Sequence, residues 1–270
     1  MVSIELNPVG YVLSPVEEPG DMPLGGKDAV IELRPEYAEG LQGLEENSHL
    51  WVLSWFHKAS RELLKVKPGK VNPDLPAYGV FALRSYARPN PIGLSLAKLE
   101  RMEGNRVYVR GLDAVGGTPV LDLKPYFEND TVFSPLTPYI KGKSRAMRQG
   151  MIRKQALVHH GEECLDMLIG VRMAAIAEDY FGQLNSSDLM VKVQGSPCLA
   201  DTIQGVSRAR LANPPRFSYV NTDDRSETGW TKNGRVLTIV RKGVFSREDI
   251  NNAADEDLFA IACFEAGSNG

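Results

Sequence analysis

Short apolar runs separated by glycine and proline dominate the first half of the chain. Several of them alternate apolar and polar residues, which is typical of strands that bury one face. The predicted strands are VGYVL, AVIEL, HLWVLSWF, YGVFAL, GLSLAKL, RVYVRGL and PVLDL. Many short strands between turns predict a β-barrel or a β-sandwich, with one helix near residues 35–43.

The second half of the chain mixes helical and strand patterns. Between Glu162 and Phe181, apolar residues recur at helical spacing, and Gly182 is a natural helix stop. A strand (LMVKVQG), a second helix (ADTIQGVSRARL) and two further strands (RFSYV and RVLTIVRKG) follow, with TKNG as the turn between those two strands. The tail from Asn251 carries no strong signal. This half therefore predicts an α+β domain.

Composition and targeting signals narrow the class of protein. The chain has 270 residues, of which 43% are hydrophobic and 24% charged, as in soluble globular proteins. The N-terminus lacks the pattern of a signal peptide, and no apolar stretch is long enough to cross a bilayer. Three cysteines fit a reducing compartment better than a disulfide framework. We therefore expect a cytoplasmic protein that does not enter membranes.

Charge is distributed unevenly around the net value of −3. Residues 1–140 carry 14 basic and 18 acidic side chains, and residues 155–270 carry 11 and 16. The 14 residues between them, KGKSRAMRQGMIRK, hold six basic side chains and no acidic one. We interpret residues 139–154 as a basic linker between an N-terminal domain (1–138) and a C-terminal domain (155–270). This linker is either a solvated connection or a stripe that binds phosphates.

Three segments of the first half carry candidate chemistry. Arg84 and Arg88 come just before Pro89-Asn90-Pro91, whose prolines stiffen a loop that presents guanidinium groups to a ligand. The tight turn Gly116-Gly117-Thr118-Pro119 contains two glycines, which let a backbone approach a ligand closely. His57 ends an apolar strand, and it either binds a ligand or is buried in the core. These segments together predict a binding site for a small molecule.

The same segments resemble the TsaA-like or TrmO (YaeB) methyltransferase family over residues 5–130, most strongly at RPNPIGLS and GTPVLDLKPY. The resemblance implies a homodimeric β-barrel that binds S-adenosylmethionine (SAM). Bacterial members of that family methylate N6 of a threonylcarbamoyladenosine beside the tRNA anticodon. The SAM site that the resemblance implies consists of Pro23, Leu24, Gly25, His57, Lys58, Arg84, Leu94, Gly117, Thr118 and Pro119.

Two positions depart from the family pattern. Pro23-Leu24-Gly25 replaces the usual Pro-Arg-Gln, and Leu83 stands where Thr is common. Both changes bear on SAM affinity or on the choice of methyl acceptor. Asp113 and Tyr126 are the polar residues that we expect to orient the acceptor during catalysis.

The second half resembles the FmdE-like domain, which takes its name from a formylmethanofuran dehydrogenase subunit. The segment VHHGEECLDMLIGVRMAAIA matches the family pattern His-Gly-His-x-Cys and Gly-x-Arg-Met, except that Glu162 replaces the second His. Cys198 opens the Cys-x-x-Asp-x-Ile-Gln pattern, but the Gly-Cys-Thr that usually follows is absent. His160, Cys164 and Cys198 are candidate ligands for zinc or another transition metal. The alternative is that both cysteines are buried apolar side chains.

The leading interpretation is a SAM-dependent methyltransferase whose acceptor is tRNA. One alternative is a methyltransferase for a small molecule or a metal-linked cofactor that the C-terminal domain supplies. Another is a binding protein that senses SAM or a metal without turnover. If tRNA is the acceptor, its phosphates are expected to contact the basic residues Lys141, Lys143, Arg145, Arg148, Arg153 and Lys154.

Overall fold

The structure, a computed structural model, describes residues 4–265, so the predictions for residues 1–3 and 266–270 lie outside it. The chain divides into two compact units. The first unit runs up to residue 67 and continues over residues 76–131, and the second contains residues 68–75 and the chain from residue 132. Within the described residues, no helix has both the length and the apolar character that crossing a membrane requires.

Among the described residues of the first unit there are eight strands, and six of them form a closed barrel. The strands are β1 (Gly10–Leu13), β2 (Lys27–Leu33), β3 (His49–Trp55), β4 (Lys65–Val66), β5 (Tyr78–Gly79), β6 (Ile92–Glu103), β7 (Arg106–Leu112) and β8 (Pro119–Pro125). The barrel order is β1-β2-β7-β6-β3-β8, and every neighbouring pair is antiparallel. This arrangement confirms the predicted β-barrel.

The barrel core follows from the alternation of side chains along each strand. On β3 and β6, every second residue points into the barrel, so that small or apolar side chains fill it. Fully buried apolar residues of this core include Val12, Ile31, Leu50, Val52, Ala97, Val107 and Val120. The residues between them point outward, and this second set forms the outer surface on which a ligand can bind.

The connection between β3 and β6 differs from the sequence prediction. YGVFAL was predicted as one strand, but only Tyr78 and Gly79 form β5, which pairs with β4 in a separate ribbon. The chain then turns, because the Arg88 guanidinium donates hydrogen bonds to the carbonyls of Val80 and Leu83. The helix predicted near residues 35–43 is confirmed in place as the 3-10 helix Pro35–Leu41.

The second unit is an α+β domain, as predicted. Its elements are α1 (Arg145–His160), α2 (Leu165–Phe181), β9 (Met190–Gly195), α3 (Pro197–Ser207), β10 (Phe217–Asn221), β11 (Glu227–Lys232), β12 (Arg235–Arg241), α4 (Arg247–Asn252), α5 (Asp255–Leu258) and β13 (Phe259–Glu265). The sheet order is β10-β9-β11-β12-β13. Residues of α2, α3 and the sheet share one apolar core.

The segment predicted as a basic linker is largely helical. Ser144 caps α1 by accepting a hydrogen bond from the Met147 N–H, and α1 buries Ile152 and Ala156 against the second unit. Residues 145–154 therefore belong to the second unit. The sequence obscures this helix because its apolar positions are few and stand among basic residues.

Two further differences concern the end of the chain. The TKNG turn joins β11 to β12, so the strand ETGWTK was missed between RFSYV and RVLTIVRKG. The tail without a strong signal contains α5 and β13. Strand β11 was overlooked because Gly229 and polar residues interrupt its alternation, although Trp230 is fully buried.

Candidate functional site

The outer face of β6 forms one wall of a cleft. Gly93 and Ser95 point into the barrel, so Ile92, Leu94 and Leu96 point outward and remain 40%, 46% and 39% exposed. Three outward apolar side chains in a row are unusual on a soluble barrel, since a solvated strand face normally carries polar residues. This stripe is therefore a candidate surface for a ligand or a partner.

The loop before β6 supplies the opposite wall, and its two arginines have different roles. Arg88 is half-buried and donates hydrogen bonds to the carbonyls of Val80, Leu83 and Ser85, so it holds the loop in shape. The Arg84 side chain is exposed and makes no hydrogen bond or ion pair with any other residue of the described chain. Arg84 therefore presents an unpaired positive charge at the cleft.

The two walls enclose a cleft of about 370 Å³, within the ~300–1,000 Å³ of sites for small organic ligands. Four predicted site residues meet here, namely Gly25, Arg84, Leu94 and Asp113. Gly25 reaches the cleft because the adjacent Gly26 packs against β7, where an added Cβ would lie 2.5 Å from the Leu112 carbonyl carbon. The other lining residues are Phe56, Ser85, Arg88, Ile92, Gly93, Ser95, Leu96 and Gly111.

A smaller recess of about 50 Å³ shares Phe56 and Asp113 with the cleft. Two further predicted residues, His57 and Lys58, line this recess. The Lys58 ammonium group lies 2.7 Å from a Glu18 carboxylate oxygen and donates to the Glu17 carbonyl at 2.8 Å. Lys58 therefore anchors the segment after β1, and Asp113 stands where the two spaces meet.

Other predicted residues lie away from the cleft. Gly117 donates its N–H to the Val12 carbonyl at 2.8 Å, Thr118 is fully buried, and neither these residues nor Pro119 line the cleft. Pro23 and Leu24 also lie outside its lining, next to Gly25.

Tyr126 does not join Asp113. Its hydroxyl lies 2.8 Å from the Thr131 hydroxyl, and its ring contacts His49 and Trp51 edge-on, at the start of β3. Tyr126 lines neither the cleft nor the recess, whereas Asp113 lines both. The structure thus separates the two residues that were predicted to orient the acceptor together.

In the second unit, the predicted metal ligands His160, Cys164 and Cys198 do come together. Their ligand atoms all lie within 4.8 Å of one another. His160 Nδ1 lies 2.9 Å from an Asp201 carboxylate oxygen, and its Nε2 lies 3.4 Å from Cys164 Sγ. The turn from α1 into α2 brings His160 and Cys164 together, because Gly161 ends α1 and Cys164 caps α2, and the first turn of α3 supplies Cys198.

The chemistry of this cluster fits a soft transition metal. Burial raises the pKa of the Cys198 thiol, and the nearby Cys164 raises it further. A bound cation lowers the cost of bringing two thiolates together, and an imidazole that binds a metal commonly donates its other N–H to a carboxylate, as His160 is placed to do with Asp201.

Much of the basic segment is ion-paired, which bears on the phosphate-binding stripe that the sequence offered as one of two interpretations. Arg145 pairs with Asp179 and Asp255, and Arg148 pairs with Glu178 and Asp179. Lys143 Nζ lies 3.9 Å from an Asp74 carboxylate oxygen. The acids that neutralise α1 come from distant positions in the sequence, so counting charges along the segment could not reveal them. Arg153 is neutralised in the same way by Glu163.

The cleft also contains residues that were not singled out from the sequence. Phe56 and Leu96 line it although they belong to predicted strands, and Ile92, just before one of these strands, lines it as well. One signal was available, since Ile92, Leu94 and Leu96 alternate with the small inward residues of β6. Gly111, with a φ of 80°, gave no such signal.

Comparison with protein families assigns both halves of the chain. The family described as tRNA-methyltransferase O N-terminal domain matches residues 11–130. The family described as FmdE, Molybdenum formylmethanofuran dehydrogenase operon, matches residues 159–255. The two matches coincide with the barrel and with most of the α+β unit.

Among relatives, a protein of Methanothermobacter thermautotrophicus named "Probable S-adenosyl-L-methionine-binding protein" is 44% identical over 47% of this chain and 93% of its own length. An Archaeoglobus fulgidus protein of the same name is 34% identical over 79% of this chain, which spans only 60% of that relative. A mouse "tRNA (adenine(37)-N6)-methyltransferase" is 52% identical over 34% of this chain and 21% of its own length. A crystal structure of TrmO from P. aeruginosa has 35% identity and a TM-score of 0.40, over 51% of this chain and 62% of that one.

Proposed function

Because this chain belongs to the family of the tRNA-methyltransferase O N-terminal domain, we propose that it binds SAM in the cleft beside β6 and transfers the methyl group to tRNA. The observation that carries the proposal is the unpaired Arg84 guanidinium facing the apolar stripe of β6 across the cleft. SAM has a carboxylate that pairs with a guanidinium and an aromatic adenine ring that packs against apolar side chains. The acceptor in the proposal is N6 of the adenosine beside the anticodon, as threonylcarbamoyladenosine.

Each cleft residue has a definite role in this proposal. The Arg84 guanidinium pairs with a carboxylate, and the backbone of Gly25 and Gly111 lets a ligand approach closely. Leu94 and its outward neighbours cover an apolar ring face and exclude water. SAM supplies a methyl group on a positively charged sulfur. Asp113, at the junction of the cleft and the recess, accepts a hydrogen bond from the acceptor nitrogen and so orients it.

This proposal refines the predicted site. It places His57 beside the acceptor recess and gives Lys58 the task of holding the segment that precedes Pro23 and Leu24. It assigns Gly117, Thr118 and Pro119 to the support of β1 and β8. It assigns Tyr126 no contact with SAM or with the acceptor in the cleft and recess of the same barrel.

Transfer of a radioactive methyl group from SAM to bulk cellular tRNA tests the activity. Mass spectrometry of the digested nucleosides should show a methylated threonylcarbamoyladenosine that forms only with the wild-type protein. Asp113→Asn keeps the shape of the side chain and should lower the rate about 100-fold or more, with SAM affinity nearly unchanged. If the tRNA stays unmodified although the protein binds SAM, the proposed tRNA acceptor is wrong, and the alternative of a small-molecule acceptor is favoured.

We further propose that the second unit holds zinc or a related transition metal at His160, Cys164 and Cys198. The clustering of one imidazole and two thiols around one point supports this proposal. If tRNA is not the acceptor, this centre favours a metal-linked cofactor as the acceptor, or a sensor that responds to metal. Both thiols must stay reduced to bind metal, which fits the expected cytoplasmic location.

We also propose that the barrel forms a homodimer. The closed barrel has no free strand edge within the described residues, so edge pairing cannot drive assembly. The support comes instead from outward apolar side chains, since Tyr11 and Leu13 on β1 are each 44% exposed in addition to the β6 stripe. Sedimentation at micromolar concentration with SAM present should give twice the mass of the chain, and a monomer under those conditions would contradict the proposal.

A further inference from the structure

The excursion between β3 and β6 has a charge opposite to that of the rest of the barrel sequence. Residues 58–88 contain seven basic and two acidic side chains. The remainder of residues 1–140 contains seven basic and 16 acidic ones. Within residues 1–140, this distribution directs a polyanion towards the excursion.

Apart from Lys27 on β2, the basic residues of the barrel strands are paired with neighbouring acids. On the outer surface, basic and acidic side chains pair across or along the strands, as in Lys98–Glu100, Arg101–Glu103, Arg106–Glu32, Arg110–Glu100 and Lys124–Asp122. These cations carry little net attraction for a phosphate, because a carboxylate already lies beside each of them.

Three cations of the excursion are available instead. Lys65 and Lys67 are exposed, and neither makes an ion pair or side-chain hydrogen bond with any residue between 4 and 265. Arg61 uses one N–H to bind the Pro89 carbonyl, and its guanidinium carbon lies 5.4 Å from the centre of the Trp55 ring. Among the described residues, Arg61 has no carboxylate partner. Together they offer phosphate groups three unneutralised charges.

An exposed aromatic residue follows β5, the strand that pairs with Lys65 and Val66. Phe81, two residues after the Gly79 that pairs with Lys65, is 82% exposed. A phenylalanine this exposed gains nothing from burial in the fold, whereas its flat face can stack on an unpaired base. Free cations together with an exposed ring are the combination with which proteins bind single-stranded segments of RNA.

The excursion is held firmly and adjoins the cleft. The Val80 N–H donates to the Leu64 carbonyl at 3.0 Å, and the Arg88 N–H donates to the Ser60 carbonyl at 3.1 Å. The same excursion continues into Arg84 and Ser85, which line the cleft. A polyanion bound along the ribbon would therefore lie next to the site of methyl transfer.

We infer that Arg61, Lys65, Lys67 and Phe81 form an RNA-docking surface, on which backbone phosphates contact the cations and one unpaired base stacks on Phe81. This inference rests on the proposed function, since it takes tRNA as the acceptor. It replaces the predicted basic linker as the surface that contacts RNA. An anionic lipid surface would also attract the lysines and take up the apolar ring, but a methyl acceptor explains why this surface adjoins the cleft, and a lipid surface does not.

The test measures binding of bulk cellular tRNA to the full chain over a series of salt concentrations. The double variant Lys65→Ser/Lys67→Ser should flatten the log–log salt dependence by about 1.4–1.8 units, at ~0.7–0.9 per lost phosphate contact. The matched control Lys98→Ser/Lys124→Ser removes the same charge from ion-paired lysines and should leave the slope near that of the wild type. Phe81→Ser should weaken binding about 5- to 150-fold at fixed salt without changing the slope.

SAM affinity measured on each variant establishes that the cleft is intact. A wild-type slope in the double lysine variant, or equal flattening in the control, would overturn the docking surface while leaving tRNA as the acceptor. Binding to phosphatidylserine vesicles that depends on the two lysines, without such dependence for tRNA, would overturn it as well. If the wild-type protein neither binds nor methylates tRNA at low salt, the proposed acceptor fails, and the docking surface fails with it.

Discussion

The ring of Phe56 lies directly against the backbone of Gly93, so that a Cβ atom added at Gly93 would be 2.5 Å from Phe56 Cζ. Both residues line the cleft. Gly93→Ala should therefore displace the ring, destabilise the barrel by about 1–3 kcal/mol and weaken SAM binding severalfold. Gly40→Ala is the control, since an added Cβ there meets no atom within 4 Å. Calorimetric SAM titrations that do not distinguish the two variants would remove Phe56 from the site.

The contact between His160 and Asp201 predicts how metal affinity responds to mutation. Asp201→Asn should lower zinc affinity about 10- to 100-fold, because the carboxylate that orients the imidazole is lost. Cys164→Ser should abolish tight binding, whereas Cys263→Ser, which changes an exposed thiol outside the cluster, should have no effect. Competition with a chromophoric zinc chelator measures all three. Equal affinity in Cys164→Ser and Cys263→Ser would exclude this centre.

Arg172 of the Gly-x-Arg-Met motif is structural. It is 9% exposed, and its guanidinium binds Asp255 and the carbonyls of Ile250 and Ala253, which fixes the chain around α4. Arg172→Met should destabilise the second unit by about 3–5 kcal/mol, because a half-buried carboxylate and two carbonyls lose a charged donor. Scanning calorimetry should show this loss, and no comparable loss for Arg101→Met on the barrel surface. An unchanged transition would show that Arg145 satisfies Asp255 unaided.

Glu178 predicts a pH dependence of stability. Burial raises the pKa of Glu178, against smaller opposing contributions from Tyr139 and Arg148. As the pH rises, Glu178 therefore loses its proton in the unfolded chain before it does so in the folded chain. Its contribution to the free energy of unfolding is complete below the ordinary pKa of 4.5 and is lost as the pH rises through the raised pKa. Urea unfolding from about pH 4 to 8 should show wild-type stability falling relative to Glu178→Gln. A constant difference between the two proteins across this range would contradict the prediction.

The barrel strands could be predicted from sequence because each buries one face, which leaves a period of two along β3, β6 and β7. The helix α1 could not, since the acids that pair with its arginines, such as Asp179 beside Arg145, are distant in the sequence. The failure at YGVFAL has a similar cause: the hydrogen bonds from Arg88 to the carbonyls of Val80 and Leu83 impose a turn on residues with strand propensity.

Part of the candidate site could also be predicted from the alternation of residues along the strands. Arg84 and Leu94 belong to a segment whose prolines and alternation indicate a stiff wall, and both line the cleft. Tyr126 shared a sequence neighbourhood with the glycine turn, but strand β8 carries it to the far end of the barrel. The difference between Arg84 and Arg88 depends on which carbonyls lie within reach, and sequence spacing holds no information about that.

Calorimetric titration of SAM into the full chain tests the central claim most directly. The wild-type protein should bind, and Arg84→Ala should bind roughly 10- to 150-fold more weakly, as expected for the loss of one charge-assisted contact with a carboxylate. Arg101→Ala, which removes an ion-paired arginine from the same unit, should bind as the wild type does. Wild-type affinity in Arg84→Ala, or the absence of SAM binding by the unaltered protein, would contradict the account.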